Sequence, residues 1–327
     1  MKIQEFRDKM KRAERPALET VAAELYKRMP KGQKEQFDIE LEELLRGVAP
    51  SKARAKAEKQ PFEELEQAIQ TFLDYVDADY YIAPNRVVPA AKRSKWRFEV
   101  MRFIKQLDQI PADDPNAEAA ARLYLEIYDR LAYGCGVYIF RSDDPFQSIG
   151  SRQGDFYPRL AARCFATGFT DAKILDLLRA ATSVYIDRYS LYIEFELAFV
   201  LELKTRDMRE KALEIARREV ERLETEVLPK VRRGYGTEDY RVQNSINQIC
   251  ITILGLGIAL FEEDDALSFY MKHHGERKKE VKLYIALRTI EAFGGSDAFW
   301  RKTYEQAVKK GVQPRKELIE DYQARQG

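Results

Sequence analysis

Apolar residues recur at helical spacing through nearly every stretch of this chain that lies between prolines and glycines. A recurrence every three to four residues places the apolar side chains along one face of an α-helix. Half-buried strands would instead alternate apolar and polar residues, and such alternation is scarce here. The sequence therefore predicts an all-α protein, built either as an irregular, solenoid-like helical repeat or as a large multi-helix bundle.

Residues 1–46 contain short amphipathic segments separated by prolines, which predicts a small three-helix module. The three segments are Ile3–Lys11, Ala17–Arg28 and Lys34–Leu45. The following stretch, 47–61, has Val48 as its single large apolar residue, which is typical of a linker. We predict that the remainder, 62–327, forms an all-α helical body.

Charge and cysteine usage exclude several classes of protein. The 55 basic and 54 acidic residues nearly cancel, so no global field attracts the chain to nucleic acid or to an anionic membrane. Three widely spaced cysteines indicate a reducing compartment. The N-terminus is charged and lacks a secretory signal, and the longest apolar run, 249–261, is shorter than the roughly 20 residues of a membrane span. We therefore expect a cytoplasmic protein that does not enter the membrane.

The stretch PAAKRSKWRFEV, residues 89–100, surrounds a tryptophan with cations. On a helical wheel, Trp96 shares a narrow stripe with four apolar side chains. These are Val100, Phe103, Ile104 and Leu107. The stripe predicts a helix that anchors Trp96 in a core.

The opposite face of the same helix carries Phe98 and Met101 among basic side chains. An exposed aromatic beside cations suits base stacking and phosphate neutralisation. The candidate polyanion-binding residues are Lys92, Arg93, Lys95, Arg97, Phe98, Arg102 and Lys105. We favour the alternative in which a neighbouring helix covers Phe98 and Met101 while the cations face water or pair with acidic neighbours.

The segment 171–204 reads as one long, central helix in which Glu196 falls inside an aromatic stripe. Desolvation there would raise the pKa of the carboxyl group and would suit a general acid or base, so Glu196 is the weak catalytic candidate. We favour a structural role, in which the hydroxyl group of Tyr185 or Tyr192, or the guanidinium of Arg188, satisfies the carboxylate.

A second helical run, around 247–261, places Asn244, Gln248 and Glu262 along one line with Gly255. These polar side chains either form a buried hydrogen-bond network or line a crevice for a polar ligand, and Gly255 would permit a close approach by a neighbouring helix. We favour structural packing over a ligand site.

The chemistry-bearing residues that most enzymes use are sparse. His273 and His274 are the only histidines, and neighbouring positions on a helix diverge by about 100°, so the pair is predicted to be a surface feature near a helix end. No nucleophile motif occurs, and we expect neither a metal nor a cofactor.

These observations favour a cytoplasmic interaction or scaffold protein whose helical body presents a surface to another protein. The first alternative is a nucleic-acid-associated protein that uses the helix at 92–105. The second is an enzyme with an unrecognised site near Glu196. The sequence leaves the oligomeric state open.

Overall fold

The computed structural model describes residues 3–28, 61–232 and 237–326. Within these ranges every regular element is a helix, and no strand occurs. The prediction of an all-α protein is therefore confirmed. The chain divides into two compact units, residues 1–61 and 62–327.

The described part of the first unit consists of two helices, α1 (Ile3–Arg12) and α2 (Arg15–Arg28). They confirm the first two predicted amphipathic segments. The third predicted segment, Lys34–Leu45, and nearly all of the predicted linker at 47–61 lie outside the described residues.

The second unit is a succession of helices joined by mostly short connections. Its first half contains α3 (Phe62–Asp77), α4 (Ala90–Arg93), α5 (Trp96–Asp108), α6 (Ala117–Gly136), α7 (Pro145–Ser148), α8 (Gln153–Ala166) and α9 (Asp171–Ala181). Its second half contains α10 (Tyr192–Glu202), α11 (Arg206–Arg222), a π-helical turn (Leu223–Val227), α12 (Leu228–Val231), α13 (Glu238–Leu260), α14 (Glu263–His273), α15 (Lys279–Ala292), α16 (Asp297–Lys309) and α17 (Lys316–Ala324).

Side-chain caps explain where several helices begin. Asp144 accepts a hydrogen bond from the Gln147 amide at 2.9 Å, and Ser296 accepts one from the Phe299 amide at 3.1 Å, as N-cap residues do. Asp114, by contrast, does not cap a helix, because its carboxylate accepts a hydrogen bond from the Asn116 amide at 2.8 Å and α6 begins only at Ala117.

The predicted long helix at 171–204 is wrong, because the chain leaves helical geometry between α9 and α10. Asp187, which is buried, accepts hydrogen bonds from the amides of Gln153 (2.6 Å), Ser190 (2.7 Å) and Tyr189 (3.0 Å). The side-chain oxygen of Gln153 in turn accepts a hydrogen bond from the Asp187 amide at 2.8 Å. These bonds compete with helical pairing and stabilise the break.

Two long helices organise the core of the second unit. α6 packs against α3, α5 and α8, whereas α13 packs against α10, α11, α14 and α15. α13 is long and apolar enough to cross a membrane by length and composition, but a core helix meets the same criteria and 61% of its most apolar window is buried in the fold. The close packing predicted at Gly255 is confirmed, since a side-chain atom added there would overlap the ring of Phe293.

Candidate functional site

The tryptophan of α5 is a core anchor. Trp96 is 2% exposed, and its ring stacks on Phe140 with the ring centroids 4.1 Å apart. Val100, Phe103 and Leu107 are buried on the same stripe, as the helical wheel predicts. This face fixes α5 on the body, so its opposite face is presented to solvent.

The outer face of α5 carries two exposed apolar side chains. Phe98 is 50% exposed and Met101 is 45% exposed, so no helix of the described residues covers them, contrary to the expectation. The guanidinium of Arg97 lies over the Phe98 ring, 4.9 Å from its centroid. Exposed apolar side chains that are contiguous with cations are typical of binding surfaces.

We define the basic–apolar surface as this outer face together with the turn that leads into α5. Its exposed members are Val87, Lys92, Lys95, Arg97, Phe98, Met101, Arg102 and Lys105. Arg93 does not belong to it, although the sequence placed it among the polyanion ligands. Its side chain is 6% exposed and donates hydrogen bonds to the carbonyl oxygens of Val88 (3.1 Å) and Asn85 (3.2 Å).

Within the part of the chain that the structure describes, the cations of the basic–apolar surface have no acidic partner. No carboxylate of the described residues lies within 4.0 Å of the charged groups of Lys92, Lys95, Arg97, Arg102 or Lys105. Elsewhere on the body ion pairs are common; Arg159, for example, contacts Asp108 at 2.8 Å, at the C-terminal end of α5. The surface therefore presents local positive charge in a chain whose net charge is only +1.

Two clefts flank α5, so the basic–apolar surface is not flat. The first, of about 740 Å³, contains Val87, Lys92 and Arg102. The second, of about 430 Å³, contains Met101 and Lys105. The first cleft also contains carboxylates of Glu63, Glu64 and Glu99. Positive charge is thus discontinuous along the surface.

Glu196 is sealed inside the protein. Its side chain is 0% exposed, and neither carboxylate oxygen has a hydrogen-bond partner. Desolvation raises the pKa of Glu196 well above its ordinary value. Burial agrees with the aromatic stripe in which the sequence placed Glu196.

None of the partners expected for Glu196 binds it. The Tyr192 hydroxyl group donates to the Val184 carbonyl oxygen at 3.2 Å, and Arg188 pairs with Asp143 at 3.5 Å. Tyr185 packs edge-on against another tyrosine ring. The break between α9 and α10 separates Tyr185 and Arg188 from the helix that carries Glu196, which the single-helix interpretation did not anticipate.

The line of polar residues predicted on α13 does not form a crevice. Gln248 is 8% exposed and its side-chain oxygen has no partner, whereas Asn244 interacts with the Tyr192 hydroxyl group. Glu262 lies beyond the helix, because Phe261 adopts a left-handed backbone conformation (φ 62°) and ends α13. Its carboxylate is exposed and contacts Arg206 at 3.6 Å.

The two histidines are not a surface pair. His274 is 4% exposed, and its pKa is lowered to about 4, first by desolvation and then by the neighbouring Lys282. The ring of His273 stacks on Phe269, and its Nδ1 lies 2.9 Å from a Glu224 carboxylate oxygen. The described segments contain no cluster of three or more histidine, cysteine or acidic side chains that could bind a metal ion.

One acidic cleft was missed from the sequence. A space of about 800 Å³ between α6 and α9 brings Asp129 and Asp176 together with Arg130. The carboxyl group of Asp129 reaches this cleft but is poorly solvated, and desolvation, with a contribution from Asp176, raises its pKa to about 7 against the effect of Arg130. The sequence gives no sign that these two aspartates lie close together, because they are far apart along the chain.

Comparison with known proteins adds no assignment, because no family model, no curated protein and no solved structure matches this chain.

Proposed function

We propose that the protein is a non-catalytic binding protein whose helical-repeat-like body, 62–327, docks an acidic segment of another protein on the basic–apolar surface, with residues 1–46 as a tethered accessory. One observation carries the proposal: exposed Phe98 and Met101 lie among cations that have no carboxylate partners in the described residues. An acidic amphipathic segment would bury the apolar side chains and neutralise the cations together.

The arrangement favours a protein partner over nucleic acid. A nucleic acid carries a phosphate at each step, and along this surface those phosphates would approach Glu63, Glu64 and Glu99 in the first flanking cleft. Val87 and Met101 provide apolar area without a ring on which bases stack. A peptide can place its acidic residues at separate positions and its apolar residues between them.

Charge reversal on α5 tests the proposal. The probe is a fluorescein-labelled helical peptide with glutamates on one face and leucines on the other, and binding is measured by fluorescence anisotropy. We expect the double variant Arg97→Glu/Arg102→Glu to weaken binding at least about tenfold, because it places acidic groups opposite the glutamates of the probe. We expect Phe98→Ala to weaken it about tenfold through loss of a central aromatic contact.

Lys272→Glu is the matched control, since Lys272 is exposed on α14 and the same charge change there leaves α5 intact. A peptide with lysines in place of the glutamates should not bind. If the acidic peptide binds the α5 variants as tightly as the unaltered protein, the proposed surface is wrong.

The second candidate, a single-stranded nucleic acid, is favoured by one contact, the Arg97 guanidinium over the exposed ring of Phe98. Retention on heparin and salt-dependent binding of poly(U) test it. Tighter binding of poly(U) than of the acidic peptide, with the same sensitivity to Phe98→Ala, would replace the first candidate with the second.

A further inference from the structure

A further cleft lies in the C-terminal part of the body, between α14, α15 and α16. It has a volume of about 680 Å³, within the range of small-molecule sites. Its apolar lining comes from Leu267, Met271, Leu283, Ala307 and Val312. Leu267 and Leu283 are nearly inaccessible to water, so the floor belongs to the core and is preformed.

Cations dominate the polar lining of this cleft. They are Arg277, Lys279, Lys282, Lys302 and Lys310, against the acidic Asp264 and Glu276. Asp264 forms an ion pair with Lys302, in which 2.5 Å separates the ammonium nitrogen from a carboxylate oxygen. Glu276 accepts the backbone amide of Lys278 at 2.8 Å. In the part of the chain that the structure describes, the other four cations have no carboxylate within 4.0 Å.

Lys282 is the cation that most needs a counter-ion. It is half-buried, and its ammonium group donates to the Met271 carbonyl oxygen at 3.2 Å. Desolvation lowers the pKa of Lys282 and thus disfavours its positive charge, against a smaller opposing effect of Glu276. The same charge contributes to the lowered pKa of the buried His274.

The first turn of α15 adds to the positive potential. Lys279 is its first residue, and no side chain caps the helix. The N-terminus of a helix of 14 residues carries a partial positive charge and unpaired amide groups. The helix terminus and Lys282 are independent features that favour the same kind of ligand.

We propose that this cleft binds a small anionic molecule with an apolar body, such as an alkyl or acyl phosphate. The phosphate would contact Lys282, Lys279 and the start of α15, while the apolar body would lie on Leu267, Leu283 and Ala307. Burial of the body and neutralisation of a desolvated ammonium group would each contribute to affinity. This site is separate from the basic–apolar surface and does not depend on the function proposed for it.

Calorimetric titration of the full chain with octyl phosphate tests the proposal. We expect one molecule to bind per chain, at least about tenfold more tightly than either inorganic phosphate or octanol, because only the amphipathic anion uses both parts of the cleft. Lys282→Met, which keeps the length of the side chain, should weaken binding about tenfold or more. Lys279→Gln, at an exposed position, is a second test that does not disturb the core.

Lys309→Gln is the matched control, because Lys309 is exposed on α16 outside the cleft. Equal affinity of octyl phosphate for the unaltered protein and for both cleft variants would overturn the proposal, as would absence of binding. Sedimentation with phosphatidylcholine vesicles that contain phosphatidic acid identifies the source of the anion. If the protein sediments with the vesicles and Lys282→Met abolishes this, the anion is a lipid headgroup. If the protein binds octyl phosphate but does not sediment, the anion is a soluble metabolite.

Discussion

Gly257→Ala is expected to destabilise the second unit by about 2–3 kcal/mol, because α13 and α14 meet at this glycine without room for a methyl group. A β-carbon at position 257 would overlap the β-carbon of Ala266 and would press on the Glu262 carbonyl oxygen at 3.3 Å. Ala266 is fully buried, so the clash is relieved only if one helix shifts. Helix propensity alone favours alanine by about 1 kcal/mol, so the sign of the change tests the packing.

Urea unfolding followed by circular dichroism measures this effect. The double variant Gly257→Ala/Ala266→Gly is the matched control, because it moves the methyl group from one helix to the other. We expect the double variant to be more stable than Gly257→Ala alone, which gives a favourable coupling of about 1 kcal/mol or more. A single variant that is as stable as the unaltered protein would contradict the close approach of the two helices.

Glu196→Gln is expected to remove a pH dependence of stability. The pKa of Glu196 is raised in the folded protein by burial, so the folded state holds a proton that the unfolded state releases above about pH 4.3. The contribution of the neutral group to stability is complete below the unfolded pKa and is lost as the pH rises toward the folded pKa. In that window the unaltered protein should lose about 1.4 kcal/mol per pH unit relative to Glu196→Gln.

Glu196→Met should go further at neutral pH and stabilise the fold by about 1–3 kcal/mol, because it removes a buried polar group whose oxygens have no partner. Denaturant unfolding measures the free energy of unfolding of both variants, at pH values about one unit apart between pH 5 and pH 8. The control is Glu194→Gln on the same helix, where the partly exposed carboxylate pairs with Arg152 and a change below about 1 kcal/mol is expected. Parallel pH curves for the unaltered protein and Glu196→Gln would show that Glu196 is solvated.

Helix type and burial could be predicted where the pattern was long and regular. Trp96 and its stripe on α5 were placed correctly, because apolar residues that recur every three to four positions lie on one face of a helix, and that face is buried. The boundary between α9 and α10 could not be found in the same way. The apolar period runs through it, and two of the hydrogen bonds that hold the break join Asp187 to Gln153, which is far away in sequence.

The candidate sites divide along the same line. The excess of basic residues on and before α5 was visible in the sequence because these residues are neighbours. Whether Phe98 was covered depended on distant elements, and whether Arg93 was buried depended on the conformation of the loop at 85–88; among the described residues the structure reversed both expectations. The cleft around Lys282 could not be predicted at all, since its cations lie on α15 and α16, in the connection that precedes α15 and directly after the end of α16.

By itself the sequence determined that this chain is helical and that Trp96 faces a core, because local periodicity decides which side of a helix avoids water. Only the tertiary structure decided that Glu196 is buried with no hydrogen-bond partner among the described residues, that α13 ends before Glu262, and that four cations share one cleft in which no described carboxylate lies within 4.0 Å of them. Desolvation and charge pairing depend on distances between helices, and those distances are set by packing among residues that the sequence keeps far apart.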